Sequence, residues 1–139
     1  MKNILIYGDG IIGKFSALVL SSYYKVYLVS KNQKSNKKYN QERFFSINLL
    51  TKFMLIKYGL WNHMHKERIF GYNKIITWHE YLSEDVIFNS SDISFDRLGY
   101  IVKEEDIIKS LDIQLESTDN IVVVNSNDAK LNEINPEFI

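Results

Sequence analysis

Three glycines near the N-terminus carry the most chemistry in this sequence. Gly8-Asp9-Gly10-Ile11-Ile12-Gly13 follows the apolar run Ile4-Leu5-Ile6-Tyr7 and opens a segment with Ile11, Phe15, Leu18 and Val19 at helical spacing. Each glycine has a separate job in that context. Gly8 turns the chain sharply off a strand, Gly10 lets a pyrophosphate approach the backbone, and Gly13 lets the helix pack close to the strand. Ala17 is a further small residue on the packing side. The helix start, at Ile11 and Ile12, presents free N–H groups and the positive end of its dipole to phosphate. A lone G-x-G-x-x-G is weak, but here it lies between a strand and a helix, as nucleotide binding requires. A tight turn without a ligand is the plainer alternative.

One position departs from the dinucleotide fingerprint. An acid is expected at the end of the second strand, where it accepts hydrogen bonds from the adenosine ribose. Ser30 stands there, followed by Lys31. Two readings stay open. Ser30 binds the ribose of FAD or NAD weakly, or Ser30 and Lys31 face the 2′-phosphate of NADP.

Other constellations point to little chemistry. His63 and His65 form an H-x-H pair without further ligands, so no metal site is expected. No serine lies in a nucleophile elbow. His79 reads as a strand-end residue. Asp92, Asp96 and Asp106 read as turn and helix-start residues. Trp61, Tyr72, Trp78, Phe88, Phe95 and Tyr100 read as core.

The elements that position the loop follow from periodicity. Ile4 to Tyr7, Val26 to Val29 and Ile121 to Val124 read as buried parallel strands. Strand, loop, helix and strand fit the size of one βαβ unit. Lys31 to Asn40 is lysine-rich and reads as a solvated loop, the sharper alternative being a phosphate or membrane-headgroup contact. Asn48 to Tyr58 predicts a helix with the stripe Leu49, Leu50, Phe53 and Met54, stopped at Gly59. Ile75 to Trp78 and Val86 to Phe88 predict two further strands. Glu104 to Glu116 predicts a helix with Ile107, Ile108, Leu111 and Leu115 on one face and three acids at its positive end. After Asn125 the chain turns polar.

Composition narrows the class. The 139 residues predict one domain, 1–139. Seventeen basic residues balance seventeen acidic ones, so bulk charge gives no reason to expect nucleic acid. The absence of cysteine excludes disulfides and thiolate catalysis. The first apolar run is too short for a signal peptide, and no run reaches the roughly 18 apolar residues of a membrane span. The expected location is the cytoplasm, or the periphery of a membrane.

Three blocks together resemble one family. They are the glycine loop, then Glu42-Arg43-Phe44-Phe45-Ser46-Ile47-Asn48 running on to Tyr58-Gly59-Leu60-Trp61, and Leu98-Gly99-Tyr100-Ile101-Val102. In order and spacing they resemble the FAD-dependent aromatic-ring hydroxylases, particularly the ubiquinone-biosynthesis hydroxylase family, from about Asn3 to Val124. The resemblance implies an α/β, glutathione-reductase-like fold: a Rossmann-like FAD-binding βαβ unit with a parallel sheet, plus part of a β-rich substrate layer. It implies FAD as cofactor, held by Gly8, Gly10 and Gly13, with Arg43 as a flavin-nucleotide contact. The alternative for Arg43 is a surface ion pair with an acid such as Glu42. NADPH enters as a reductant or as an alternative ligand. A prenylated aromatic ring is the implied substrate. The family's second FAD motif has no counterpart here, so the chain reads as an N-terminal, truncated portion. A complementing polypeptide or a second copy is then a candidate partner. A nucleotide-binding protein without catalysis and a decayed remnant are the other readings.

Overall fold

The computed structural model describes residues 2–30, 42–80 and 84–126. The lysine-rich stretch 31–40 and most of the polar ending fall outside them. The first apolar run forms β1 (Asn3–Tyr7), the helical stripe forms α1 (Ile11–Ser21), and Lys25–Ser30 forms β2. A long excursion follows. It contains β3 (Phe44–Asn48), α2 (Leu49–Lys57), β4 (Phe70–Tyr72), β5 (Lys74–Thr77), β6 (Val86–Asn89) and β7 (Gly99–Lys103). The chain then enters α3 (Glu104–Glu116) and β8 (Ile121–Asn125).

The contacts gather into two compact units. The first joins residues 1–41 to 107–139, and the second is 42–106. The second unit is a long insertion in the connection between β2 and β8, and the division falls inside α3.

In the first unit β1, β2 and β8 form a parallel sheet in that order, as the three apolar runs predict. Tyr7 pairs with Val29, and Ser30 with Asn125, so the carboxyl ends of the strands lie level. The central strand is the most protected. Val26, Leu28 and Val29 are fully buried, while the edge strands leave Leu5, Tyr7, Val122 and Val123 exposed. Burying each such aliphatic side chain stabilises the fold by about 1.5–3 kcal/mol. Ala17 and Leu18 of α1 and Ile107, Leu111 and Leu115 of α3 complete the apolar core. The two helices are tied by an ion pair from Lys14 to Asp112.

The second unit holds an antiparallel sheet in the order β3-β7-β4 and a separate β5-β6 hairpin. Its core is Ile47, Leu55, Leu60, Met64 and Val102. Asn48 caps α2 by accepting a hydrogen bond from the Thr51 N–H at 2.8 Å, and Gly59 ends that helix with φ +76°. Two expectations change here. The stripe on α2 is not its buried face: Leu50 and Phe53 are exposed, and Leu55 is the buried residue of the helix. Trp78, Phe88 and Phe95 are exposed rather than core. The β5-β6 hairpin pairs only with itself among the described residues, and its apolar side chains Ile75, Ile76, Val86, Ile87 and Phe88 are exposed, with no second layer over them in this unit.

Candidate nucleotide-binding site

The glycine loop closes onto the strand it leaves. Gly8 takes φ +114°, a conformation that side-chain-bearing residues rarely adopt. Its N–H donates to the Val29 carbonyl at 2.9 Å, which ties the loop to the end of β2. Gly13 is the tightest point. A Cβ there would lie 1.9 Å from the Gly8 carbonyl oxygen and 3.7 Å from Ile6, so the first turn of α1 rests directly on the turn out of β1. Gly10 is the opposite case. It is exposed, and a Cβ built on it meets nothing within 4 Å. The space beside its backbone is open to a ligand.

Gly10 is also the N-cap of α1, and no side chain caps the helix there. The first intrahelical bond runs from the Lys14 N–H to the Gly10 carbonyl. The N–H groups of Ile11, Ile12 and Gly13 precede it, in the part of a helix that has no internal acceptors. A phosphate satisfies such groups and gains from the helix dipole. These observations fit the pyrophosphate of a dinucleotide: two glycines too constrained for a side chain, and one beside open space.

Ser30, the last residue of β2, has a partner that the sequence does not announce. Its hydroxyl donates to Asp9 Oδ2 at 2.6 Å. A carboxylate therefore stands at the strand end after all, delivered by the loop rather than by the strand. Lys31 lies outside the described residues.

Arg43 belongs to the other unit. Its guanidinium pairs with Glu104 at 3.1 Å and stacks over the Phe45 ring. Glu42 pairs instead with Lys103, at 2.7 Å. The ion pair expected of Arg43 is thus present with a different acid. The antiparallel register decides this, because Phe44 lies opposite Lys103 and Arg43 reaches the next residue.

Among the described residues, the remaining candidates are not brought together in one cluster. His65 approaches Glu67 at 3.3 Å, and no cluster of metal-binding side chains occurs among the described residues. Asp92 belongs to a capping box with Asn89, and Asp106 to the first turn of α3, as their spacing predicts. Asp106 is the less expected of the two. It is buried, neither carboxylate oxygen has a hydrogen-bond partner among the described residues, and Arg68 stands 3.6 Å away. A cavity of about 540 Å³ in the first unit is lined by Asp9, Lys14, Leu28, Asp112 and Ile121, among others, but by none of the three glycines. Among the described residues, no helix is long and apolar enough to cross a membrane.

No family model and no curated protein matches the chain. Solved structures do. The chain is similar to p-nitrophenol 4-monooxygenase PnpA from Pseudomonas putida DLL-E4, at 15% identity and TM-score 0.61, over 90% of this chain and 32% of that one. It is similar to PqsL of Pseudomonas aeruginosa in complex with 2-aminobenzoylacetate, at 16% identity and TM-score 0.67, over 89% and 33%. PqsL is described as a probable FAD-dependent monooxygenase. A third neighbour is 2-methyl-3-hydroxypyridine-5-carboxylic acid oxygenase, at 15% identity and TM-score 0.59, over 88% and 31%. What the chain shares with these neighbours is the fold of the part it matches. The chain spans about a third of the length of these neighbours. The α/β architecture expected from the sequence, a parallel βαβ unit joined to antiparallel strands, is the one observed.

Proposed function

We propose that this chain is the FAD-binding portion of a flavin-dependent monooxygenase that hydroxylates an aromatic ring, of the ubiquinone-biosynthesis type it resembles. The glycine loop carries this reading, because Gly8 holds a positive φ that side-chain-bearing residues rarely adopt, Gly13 has no room for a side chain, and Gly10 faces open space. The fold similarity supports it. FAD, when bound, supplies the redox chemistry that activates oxygen, with NADPH as the proposed reductant.

The chain's own residues bind and orient. The backbone at Gly10 admits the pyrophosphate, and the N–H groups of Ile11, Ile12 and Gly13 donate to it. The end of β2 at Ser30 takes the adenosine ribose. Arg43 is the proposed further contact to the flavin nucleotide, a role its half-exposed guanidinium can fill while paired to Glu104. The flavin-ring site and the pocket for a prenylated ring are assigned to the further length that the neighbours have, in the same polypeptide or in a complementing one.

Gly10→Val tests the assignment, because it fills the open space without touching the packing of the loop. Calorimetry with FAD should show binding by the native chain and its loss in the variant. Equal affinity in both would remove the pyrophosphate from this loop.

A further inference from the structure

A ribose offers two hydroxyl donors and needs an acceptor that does not move. Dinucleotide folds place a carboxylate for this at the end of the second strand. Here that position is Ser30, whose hydroxyl can donate or accept. It donates, to Asp9 Oδ2. The two residues are 21 positions apart in sequence, and the parallel register brings them together: Tyr7 lies opposite Val29, so Ser30 at the end of β2 comes level with the loop that leaves β1. Two backbone bonds hold the same corner. The Gly8 N–H donates to the Val29 carbonyl, and the Ser126 N–H donates to the Ser30 carbonyl, both at 2.9 Å.

The bookkeeping of donors and acceptors then has one outcome. An ionised carboxylate has about four lone-pair sites, and Ser30 uses one. Asp9 Oδ1 accepts no hydrogen bond among the described residues, and the side chain is only half-buried. Ser30 has spent its single proton, so its oxygen can only accept. The corner presents acceptors and negative charge. It suits the ribose hydroxyls rather than a 2′-phosphate on the ribose.

We infer that Asp9 is the acceptor for the adenosine ribose, a carboxylate supplied by the glycine loop in place of the missing strand-end acid. Ser30 positions it. The inference rests on the nucleotide-binding reading above and makes that site selective for a free 2′-hydroxyl, excluding NADP as its ligand.

Calorimetry with ADP, 2′-deoxy-ADP and adenosine 2′,5′-bisphosphate tests this on the native chain, Asp9→Asn, and the double variant Asp9→Asn with Ser30→Glu. The native chain should prefer ADP over 2′-deoxy-ADP by about tenfold, the scale of a hydrogen bond to a charged acceptor. Asp9→Asn should bring that ratio close to one and strengthen binding of the bisphosphate. The double variant, with its acid returned to the strand, should restore the ratio. A merely structural tie between Asp9 and Ser30 would shift the urea midpoint and leave the ratios alone. Native-like ratios in Asp9→Asn would overturn the role of Asp9 while nucleotide binding stands. A native chain that binds neither ADP nor FAD would overturn the nucleotide-binding reading itself.

Discussion

Gly13→Ala should damage the fold rather than the ligand site alone. The added methyl would sit 1.9 Å from the Gly8 carbonyl oxygen and 3.0 Å from its carbon. Both atoms are backbone, in a residue already at φ +114°, so no side chain can swing away. The turn and α1 must separate by more than an ångström. Overpacking of this kind typically costs about 1–3 kcal/mol. Alanine returns at most about 1 kcal/mol through its helix propensity, and less in the first turn. The net expectation is a loss of about 1–2 kcal/mol. With a urea dependence of about 1–3 kcal/mol per molar, the midpoint should fall by about 1 M. Gly10→Ala is the control. Its φ of −70° suits alanine and the methyl meets nothing, so stability should stay within about 0.5 kcal/mol. Urea unfolding followed by circular dichroism reads both. A Gly13→Ala midpoint equal to or above the native one would refute the close-packing argument.

Three further outcomes follow from the second unit. Arg68→Ala should destabilise by about 1–3 kcal/mol, because it leaves the buried Asp106 carboxylate without its cation; adding Asp106→Leu should recover part of the loss, and no recovery on chemical denaturation would contradict the pairing. Asn48→Ala should cost about 1 kcal/mol by removing the cap of α2, and an unchanged midpoint would show the cap to be idle. Arg43→Ala should leave stability within about 0.5 kcal/mol, since its pair with Glu104 is solvent-exposed, yet weaken FAD binding in a calorimetric titration; unaltered FAD affinity would remove Arg43 from the site.

The parallel half of the fold was legible because its signals are local. Ile4 to Tyr7, Val26 to Val29 and Ile121 to Val124 are uninterrupted apolar runs, and α3 repeats Ile107, Leu111 and Leu115 on one face. The antiparallel sheet was much less so. Phe44–Asn48 alternates between exposed and protected positions but runs straight into α2, so its five residues merge with the helical pattern. Phe70–Tyr72 is too short to show a period. Gly99–Lys103 was visible as a block but not as the strand that β3 and β4 both pair with. At the site, the glycine spacing was readable, and for Gly8 and Gly13 the steric reasons behind it match the geometry. The Asp9–Ser30 contact was not. It depends on strand register, and no spacing rule connects residues 9 and 30. The exposure of Trp78 and Phe88 was hidden for a similar reason, since side-chain type cannot reveal that a hairpin lacks a second layer within its unit.

The most direct test of the central claim is the absorbance spectrum of the purified chain after incubation with FAD and removal of the excess. Flavin bands that stay with the protein, and are lost in Gly10→Val, are the predicted result. A colourless native chain under the same treatment would contradict the assignment of an FAD-binding loop to Gly8–Gly13.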